Sequence, residues 1–376
     1  MTKPIALVAG ARPNFMKIAP IIRALRRSDE GLHYRIIHTG QHYDREMNGV
    51  FFEELGIPAP DVCFESGSGS HAEQTGGIML AFERYLAAWP ADLVLVVGDV
   101  NSTLACAIVA KKQRIPVAHV EAGLRSGDMA MPEEVNRIVT DSITDFFFAT
   151  EPAAVANLLR EGKPRERIFH VGHVMVDNLV YQRDKLAGAD AAAFATSAWK
   201  AQCPRYGVVT LHRPSNVDDA AALRRIAFAL RDISQRLPLF FPVHPRTRVN
   251  LQKFGIDLGP RVVCTPPLSY MEFLNLWKEA TAVLTDSGGL QEETTALGVP
   301  CITLRDNTER PVTVAEGTNE LVGTDPARIE QAVGKVLRGE IKAGRRPALW
   351  DGRAAERIVQ ILQTELVRAP RARIAA

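Results

Sequence analysis

The chain has 376 residues, a length that suits two cores better than one. Hydrophobic residues make up 46% and charged residues 23%, and the formal net charge is +2, so no bulk basic field argues for nucleic acid. No apolar run approaches the ~20 residues of a membrane-spanning helix, and Cys63, Cys106, Cys203, Cys264 and Cys301 form no CxxC pair, which predicts buried free thiols in a reducing cytoplasm.

The first apolar run, IALVAG (5–10), reads as a β-strand rather than a signal peptide. Gly10 ends it, Arg12 follows, Pro13 suits the first position of a helix, and Lys17 lies about a turn further on. A glycine, a helix start and two cations suit an anion; a tight turn with two solvated cations is the plain alternative. GxGxxG is absent, so no dinucleotide fingerprint is present. Strands follow at 34–40, 93–99, 117–123, 145–150 and 168–172. LVLVVGD ends in Asp99, a candidate carboxylate or a helix N-cap. VAHVEAG carries Glu121, which a cap explains less well, and Arg125 lies just beyond. Pro132 then opens a helix with Glu133 and Glu134 in its first turn, where acids also complement the helix dipole. As a set, Asp99, Glu121 and Glu133 fall at one ligand edge, the arrangement from which proteins obtain a general acid and a general base.

An Ala-rich stretch, 178–204, reads as the divider between two domains, 1–178 and 204–352. Strands resume at 206–212, 237–244, 262–266, 282–288, 300–306 and 319–323. His212 and Arg213 end the first of these, and His244 with Arg246 the second. A lone strand-end histidine is as readily structural as catalytic. In TDSGGLQEE (285–293), Ser287, Gly288 and Gly289 open a helix able to cradle a diphosphate. An acid one turn in would be repelled by phosphate but suits vicinal hydroxyls, which points to a nucleotide with its ribose on an acid, Glu293 being the better candidate. RDNTERP places Arg305, Asp306, Glu309 and Arg310 on a strand-end loop, and 353–369 is an amphipathic helix. The fold class is therefore α/β, with two Rossmann-like domains whose parallel sheets face across a cleft, the expected ligand site.

GARPNFMK, HTGQH, VGD, HVEAGLRSGD, PEEVNR, LHRPSN, PVHP, TDSGGLQEE and RDNTERP occur in this order over 10–311. With them the chain resembles the non-hydrolysing UDP-N-acetylglucosamine 2-epimerases, which have the GT-B fold. The resemblance implies reversible inversion at C2 of UDP-N-acetylglucosamine, through loss of UDP to a 2-acetamidoglucal and its re-addition. It implies no redox cofactor and no metal. Asp99, Glu121, Glu133 and His212 match the catalytic set. Arg12, Lys17, Phe273, Ser287, Gly288, Gly289, Glu293 and Arg310 match the UDP site. Gln41, Arg213 and His244 match part of a second UDP-sugar site found in some members, although the Arg expected near 65–75 is missing. The resemblance also implies a homodimer and a C-terminal segment, 353–376, that returns to the first domain. A related UDP-sugar such as a diacetamido-uronic acid, with Arg125 or Arg213 meeting its carboxylate, is the alternative substrate; a GT-B glycosyltransferase is the alternative reaction.

Overall fold

The computed structural model describes residues 4–28, 32–40, 49–64 and 69–368; Gln41 and the basic tail after Pro370 lie outside them. The chain divides into two compact units, one of residues 1–180 with 348–376, the other of residues 181–347.

In the first unit, β1 (Ile5–Ala9), β2 (Tyr34–His38), β3 (Val62–Cys63), β4 (Leu93–Val97), β5 (Val117–Val120), β6 (Phe146–Ala149) and β7 (Ile168–His170) form a parallel sheet in the order β3-β2-β1-β4-β5-β6-β7. Side chains alternate across it. Ile5, Leu7 and Ala9 share a core with Phe15 and Ile18 of the helix Arg12–Arg27 and with Ile358 and Leu362 of the helix Ala354–Arg368. Ala6 and Val8 face Ile78, Phe82, Cys106 and Val109, from the helices His71–Ala88 and Asn101–Lys112. With both faces covered, unbroken apolar runs are what the strands require.

The C-terminal helix groups with this unit. Burying Ile358 and Leu362 stabilises its docking by about 1.5–3 kcal/mol each. Its first turn is held by Asp177, which accepts hydrogen bonds from the backbone N–H of Ala354 (3.1 Å) and Ala355 (2.7 Å). Burial drives the Asp177 carboxyl up to about 6 despite those two donors and nearby His173. Replacing Asp177 by Ala is expected to cost roughly 2–4 kcal/mol of unfolding free energy, because two buried donors lose their acceptor. An unchanged denaturation midpoint would show that the helix end is held by other contacts.

In the second unit, β8 (Gly207–Thr210), β9 (Leu239–Pro242), β10 (Val262–Thr265), β11 (Ala282–Thr285), β12 (Cys301–Thr303) and β13 (Asn319–Leu321) form a parallel sheet in the order β10-β9-β8-β11-β12-β13. Its core gathers Val209, Phe241 and Leu284 from the sheet with Ile226, Leu230, Ile329 and Val333 from flanking helices.

Two details differ from the sequence reading. The strand β3, only two residues long, is an addition at the sheet edge. Only Cys106 and Cys301 are buried thiols; Cys203 is half-buried, and Cys63 and Cys264 are exposed. Within the stretch 178–204, the helix Ala195–Gln202 docks on the helix Tyr270–Trp277. There Asn275 donates to Thr196 (3.3 Å) and Ser197 (3.1 Å), and the backbone N–H of Thr196 donates to Glu272 (2.6 Å).

Candidate functional site

Each sheet reverses its strand order once, between β1 and β4 in the first unit and between β8 and β11 in the second. Ligands of open parallel sheets bind outside the carboxyl ends at such a point. Asp99 follows β4, Glu121 follows β5, His212 follows β8 and Ser287 follows β11.

In the first unit, the turn after β1 is built by Asn14. Its amide oxygen accepts from the backbone N–H of Gly10 (3.1 Å) and Ala11 (3.0 Å), and its nitrogen donates to the Val97 carbonyl (3.3 Å) at the end of β4. Arg12 stays exposed, its guanidinium 4.8 Å from the Phe51 ring centre. Lys17 points to the end of β5, where it forms an ion pair with Glu121. A Cβ added at Gly98 would stand 2.8 Å from the Lys17 ammonium, and φ of +68° already disfavours a side chain there. Glu121 itself is buried, 4% exposed, with φ of +77°. Such a conformation is strained for a residue with a Cβ, and strain of this kind collects at functional sites.

The alternatives left open for the acids separate cleanly. Asp99 is not a helix cap: the N-cap of the helix Asn101–Lys112 is Val100, and the Asp99 carboxylate pairs with Arg137 at 2.6 Å. Of the two first-turn glutamates, Glu134 is structural. It is buried, pairs with Arg137 and accepts from the backbone N–H of Ser126 (3.0 Å) and Gly127 (2.9 Å). Burial opposes its charge, but those donors and Arg137 hold its carboxyl below the usual range. Glu133 is exposed beside it.

In the second unit, Thr210 and Thr285 link β8 to β11 through hydroxyls 2.7 Å apart, and Thr285 also accepts from the Ser287 N–H at 2.9 Å. This fixes the start of the helix Gly288–Leu297. A Cβ at Gly289 would meet nothing within 4 Å, and one at Gly288 only Glu309, at 3.9 Å, so the helix start is open to a ligand. Of the acids one turn in, Glu292 pairs with Arg310, while Glu293 accepts from the Tyr270 hydroxyl at 2.9 Å. Burial, reinforced by Glu293, pushes the Tyr270 phenol well above its usual value, so it remains a donor. Phe273 is half-buried on the same helix as Tyr270.

Asp286 organises the end of β8. Fully buried, it accepts from the backbone N–H of His212 (3.1 Å) and Arg213 (2.9 Å) and from Asn216 (3.2 Å), and it lies 3.1 Å from His212 Nδ1. Burial opposes its charge, but His212 and these donors hold its carboxyl below the usual range. The His212 side chain is 42% exposed, so its ring edge remains reachable. His244 lies 6.2 Å from it, ring centre to ring centre, and is held below its usual value by partial burial and then by electrostatic repulsion from His212 and Arg246. Arg246 itself is taken by Asp218. Arg213 lies 3.6 Å from Glu309, which Arg305 grips at 2.8 and 2.9 Å. Burial would raise Glu309, yet Arg305 brings its carboxyl down to about 2.

Sequence reasoning passed over Asn14, Arg137, Tyr270 and Asp286. Only Asp286 gave a local signal, as an acid at the end of an apolar strand.

Residues 23–363 match the family model described as UDP-N-acetylglucosamine 2-epimerase. The UDP-N-acetylglucosamine 2-epimerase of Methanocaldococcus jannaschii is 42% identical over 366 residues, which cover 95% of this chain and 98% of that protein. Its crystal structure in complex with UDP-GlcNAc and UDP superposes with a TM-score of 0.85 at 41% identity, covering 96% of this chain and 99% of that one. The UDP-2,3-diacetamido-2,3-dideoxy-D-glucuronate 2-epimerase of Pseudomonas aeruginosa is 37% identical, over 95% of this chain and 99% of that protein. This chain belongs to the UDP-N-acetylglucosamine 2-epimerase family.

Proposed function

We propose that the chain interconverts UDP-N-acetylglucosamine and UDP-N-acetylmannosamine by elimination and re-addition of UDP. The observation that carries this reading is the pair of carboxylates, Asp99 and Glu121, on adjacent strand ends beside the reversal point of the first sheet. Solved relatives with UDP-GlcNAc bound support the substrate.

On this reading the diphosphate takes the N–H groups of Ser287, Gly288 and Gly289, and the ribose hydroxyls take Glu293, with Phe273 near the uracil. Arg12 is the exposed cation for the phosphates. Lys17 and Arg310, each already paired with a glutamate, contribute by sharing that charge with the ligand. Asp99, Glu121 and Glu133 handle the C2 proton: one takes it as the C1–O bond breaks, and another returns a proton to the opposite face. Asp286 holds His212 at Nδ1, which leaves Nε2 for the diphosphate as its negative charge grows. His244 and Arg213 flank this end of the site. A homodimer and a cytoplasmic location belong to the same reading.

A uronic-acid substrate would need a spare cation near the sugar. Arg125 is occupied by Asp141 at 2.8 Å and Glu161 at 2.7 Å, so this residue gives no support to that substrate.

Incubation with UDP-GlcNAc in D2O tests the reaction. Deuterium at C2 of recovered UDP-GlcNAc and UDP-ManNAc is expected. Recovery of unlabelled UDP-GlcNAc, or labelling only with UDP-diacetamidoglucuronate in a parallel incubation, would overturn the assignment.

A further inference from the structure

His119 and Asp141 lie beneath the acids, and both are completely buried. His119 is on β5, and Asp141 is on the helix Pro132–Ile143. The ring of His119 has an acceptor at each nitrogen: Asp141 Oδ1 is 2.7 Å from Nδ1, and the Gly98 carbonyl is 2.8 Å from Nε2. The second Asp141 oxygen accepts from the Gly123 N–H at 2.9 Å and from Arg125 at 2.8 Å. Arg125 is in turn gripped by Glu161, and the charged groups nearby on the chain include Lys17 with Glu121 and Arg137 with Asp99 and Glu134.

The two turns that carry the acids are therefore tied to one buried pair. Gly98, before Asp99, is held through its carbonyl by His119. Gly123, just after Glu121, is held through its N–H by Asp141. The pair joins turns with φ of +68° at Gly98, +77° at Glu121 and +82° at Gly123. A strained turn persists only where its surroundings over-determine it, and the hydrogen bonds from His119 and Asp141 supply that constraint from the protein interior.

We propose that His119 and Asp141 are positioning residues for the C2 proton transfer, setting the turns of Asp99 and Glu121 together. The proposal rests on the epimerase reading for its chemistry. Burial would raise the Asp141 carboxyl, but His119, Arg125 and the Gly123 N–H hold it below the usual range, as expected of a carboxylate that serves as a hub of hydrogen bonds.

The test compares Asp141→Ala with Asp141→Asn. A carboxamide can donate to His119 Nδ1 and still accept from Gly123 and Arg125, whereas Ala can do neither. Asp141→Ala is expected to lower kcat roughly 50-fold, since small misplacements of catalytic groups cost up to about 100-fold. Its UDP affinity, measured by calorimetry, should stay within about twofold, a loss in kcat without a loss in binding. Asp141→Asn should recover at least about tenfold of that rate. Amide hydrogen exchange over 98–99 and 121–123 should accelerate in Asp141→Ala. If that variant does not fold, His119→Gln, whose amide can donate to only one of the two partners, is expected to show the same slow turnover, intact UDP binding and faster exchange. Turnover in Asp141→Ala within about threefold of wild type, equal losses in the Ala and Asn variants, or unchanged amide exchange would each overturn the proposal. If the wild-type protein labels no sugar in D2O, the reaction assignment fails, and the amide exchange data still decide whether the pair sets these turns.

Discussion

Glu121→Gln is expected to lower kcat by roughly 10³-fold, within the 10²–10⁴ range typical of a positioned acid or base. The substitution is nearly isosteric, so the left-handed backbone at this position and the hydrogen bond from its N–H to the Phe148 carbonyl (3.0 Å) are kept. The amide oxygen can still accept from Lys17, which limits the structural cost of the lost ion pair. Only the capacity to exchange a proton is removed. UDP binding should change by no more than about threefold, because the residues proposed for the nucleotide are chiefly on the other sheet. Asp99→Asn offers the complementary measurement. Its carboxylate pairs with Arg137, which also binds Glu134, so the amide loses one charge from a three-membered cluster. If one acid serves each face of C2, the two variants will differ in which UDP-sugar still exchanges its C2 proton with D2O. Turnover in Glu121→Gln within about tenfold of wild type would remove this residue from the proton chemistry.

The extent to which this site could be read from sequence depended on whether the information was local. Buried strands in a parallel sheet need long apolar runs, and the runs ending at Gly10, Asp99 and Glu121 marked the sheet and the edge proposed for the ligand. β3 escaped because two residues between Pro60 and Phe64 give no periodic signal. Glu121 was legible as an acid that a cap explains less well, whereas Asp99 read equally as a helix N-cap. Their partners were not legible, because pairing Lys17 with Glu121, or Tyr270 with Glu293, depends on which strands become neighbours. Glu133 and Glu134 show the same limit: adjacent in sequence on one helix turn, they separate only once the 126–127 backbone folds over one of them. His119 sits inside VAHV, where a buried ring looks like any other core residue until Gly98 and Asp141 are brought to its two nitrogens.

Asp286→Asn is expected to reduce kcat by about 10²–10³, the scale on which a lost electrostatic stabiliser of a developing anion is felt. The wild-type carboxylate serves two backbone N–H groups, Asn216 and His212 Nδ1 at once. A carboxamide oxygen in the place of Oδ2 can keep both N–H groups and Asn216, so the change falls on the contact with His212 Nδ1. Its NH2 would face Nδ1, so the ring loses the carboxylate that holds it there and the charge-assisted hydrogen bond that goes with it. Departure of the diphosphate should therefore slow more than substrate binding weakens. Stability supplies an independent check. The Asp286 carboxyl is held below its ordinary value in the folded protein, so its contribution is fully present above that value. The contribution is lost as pH falls through the lower, folded value, because protonation then favours the unfolded chain. Chemical denaturation from neutral to acid pH should show a shallower acid-side loss of stability in Asp286→Asn than in wild type. A variant with wild-type kcat and an unchanged acid limb would mean that Asp286 neither orients His212 nor anchors the turn after β8.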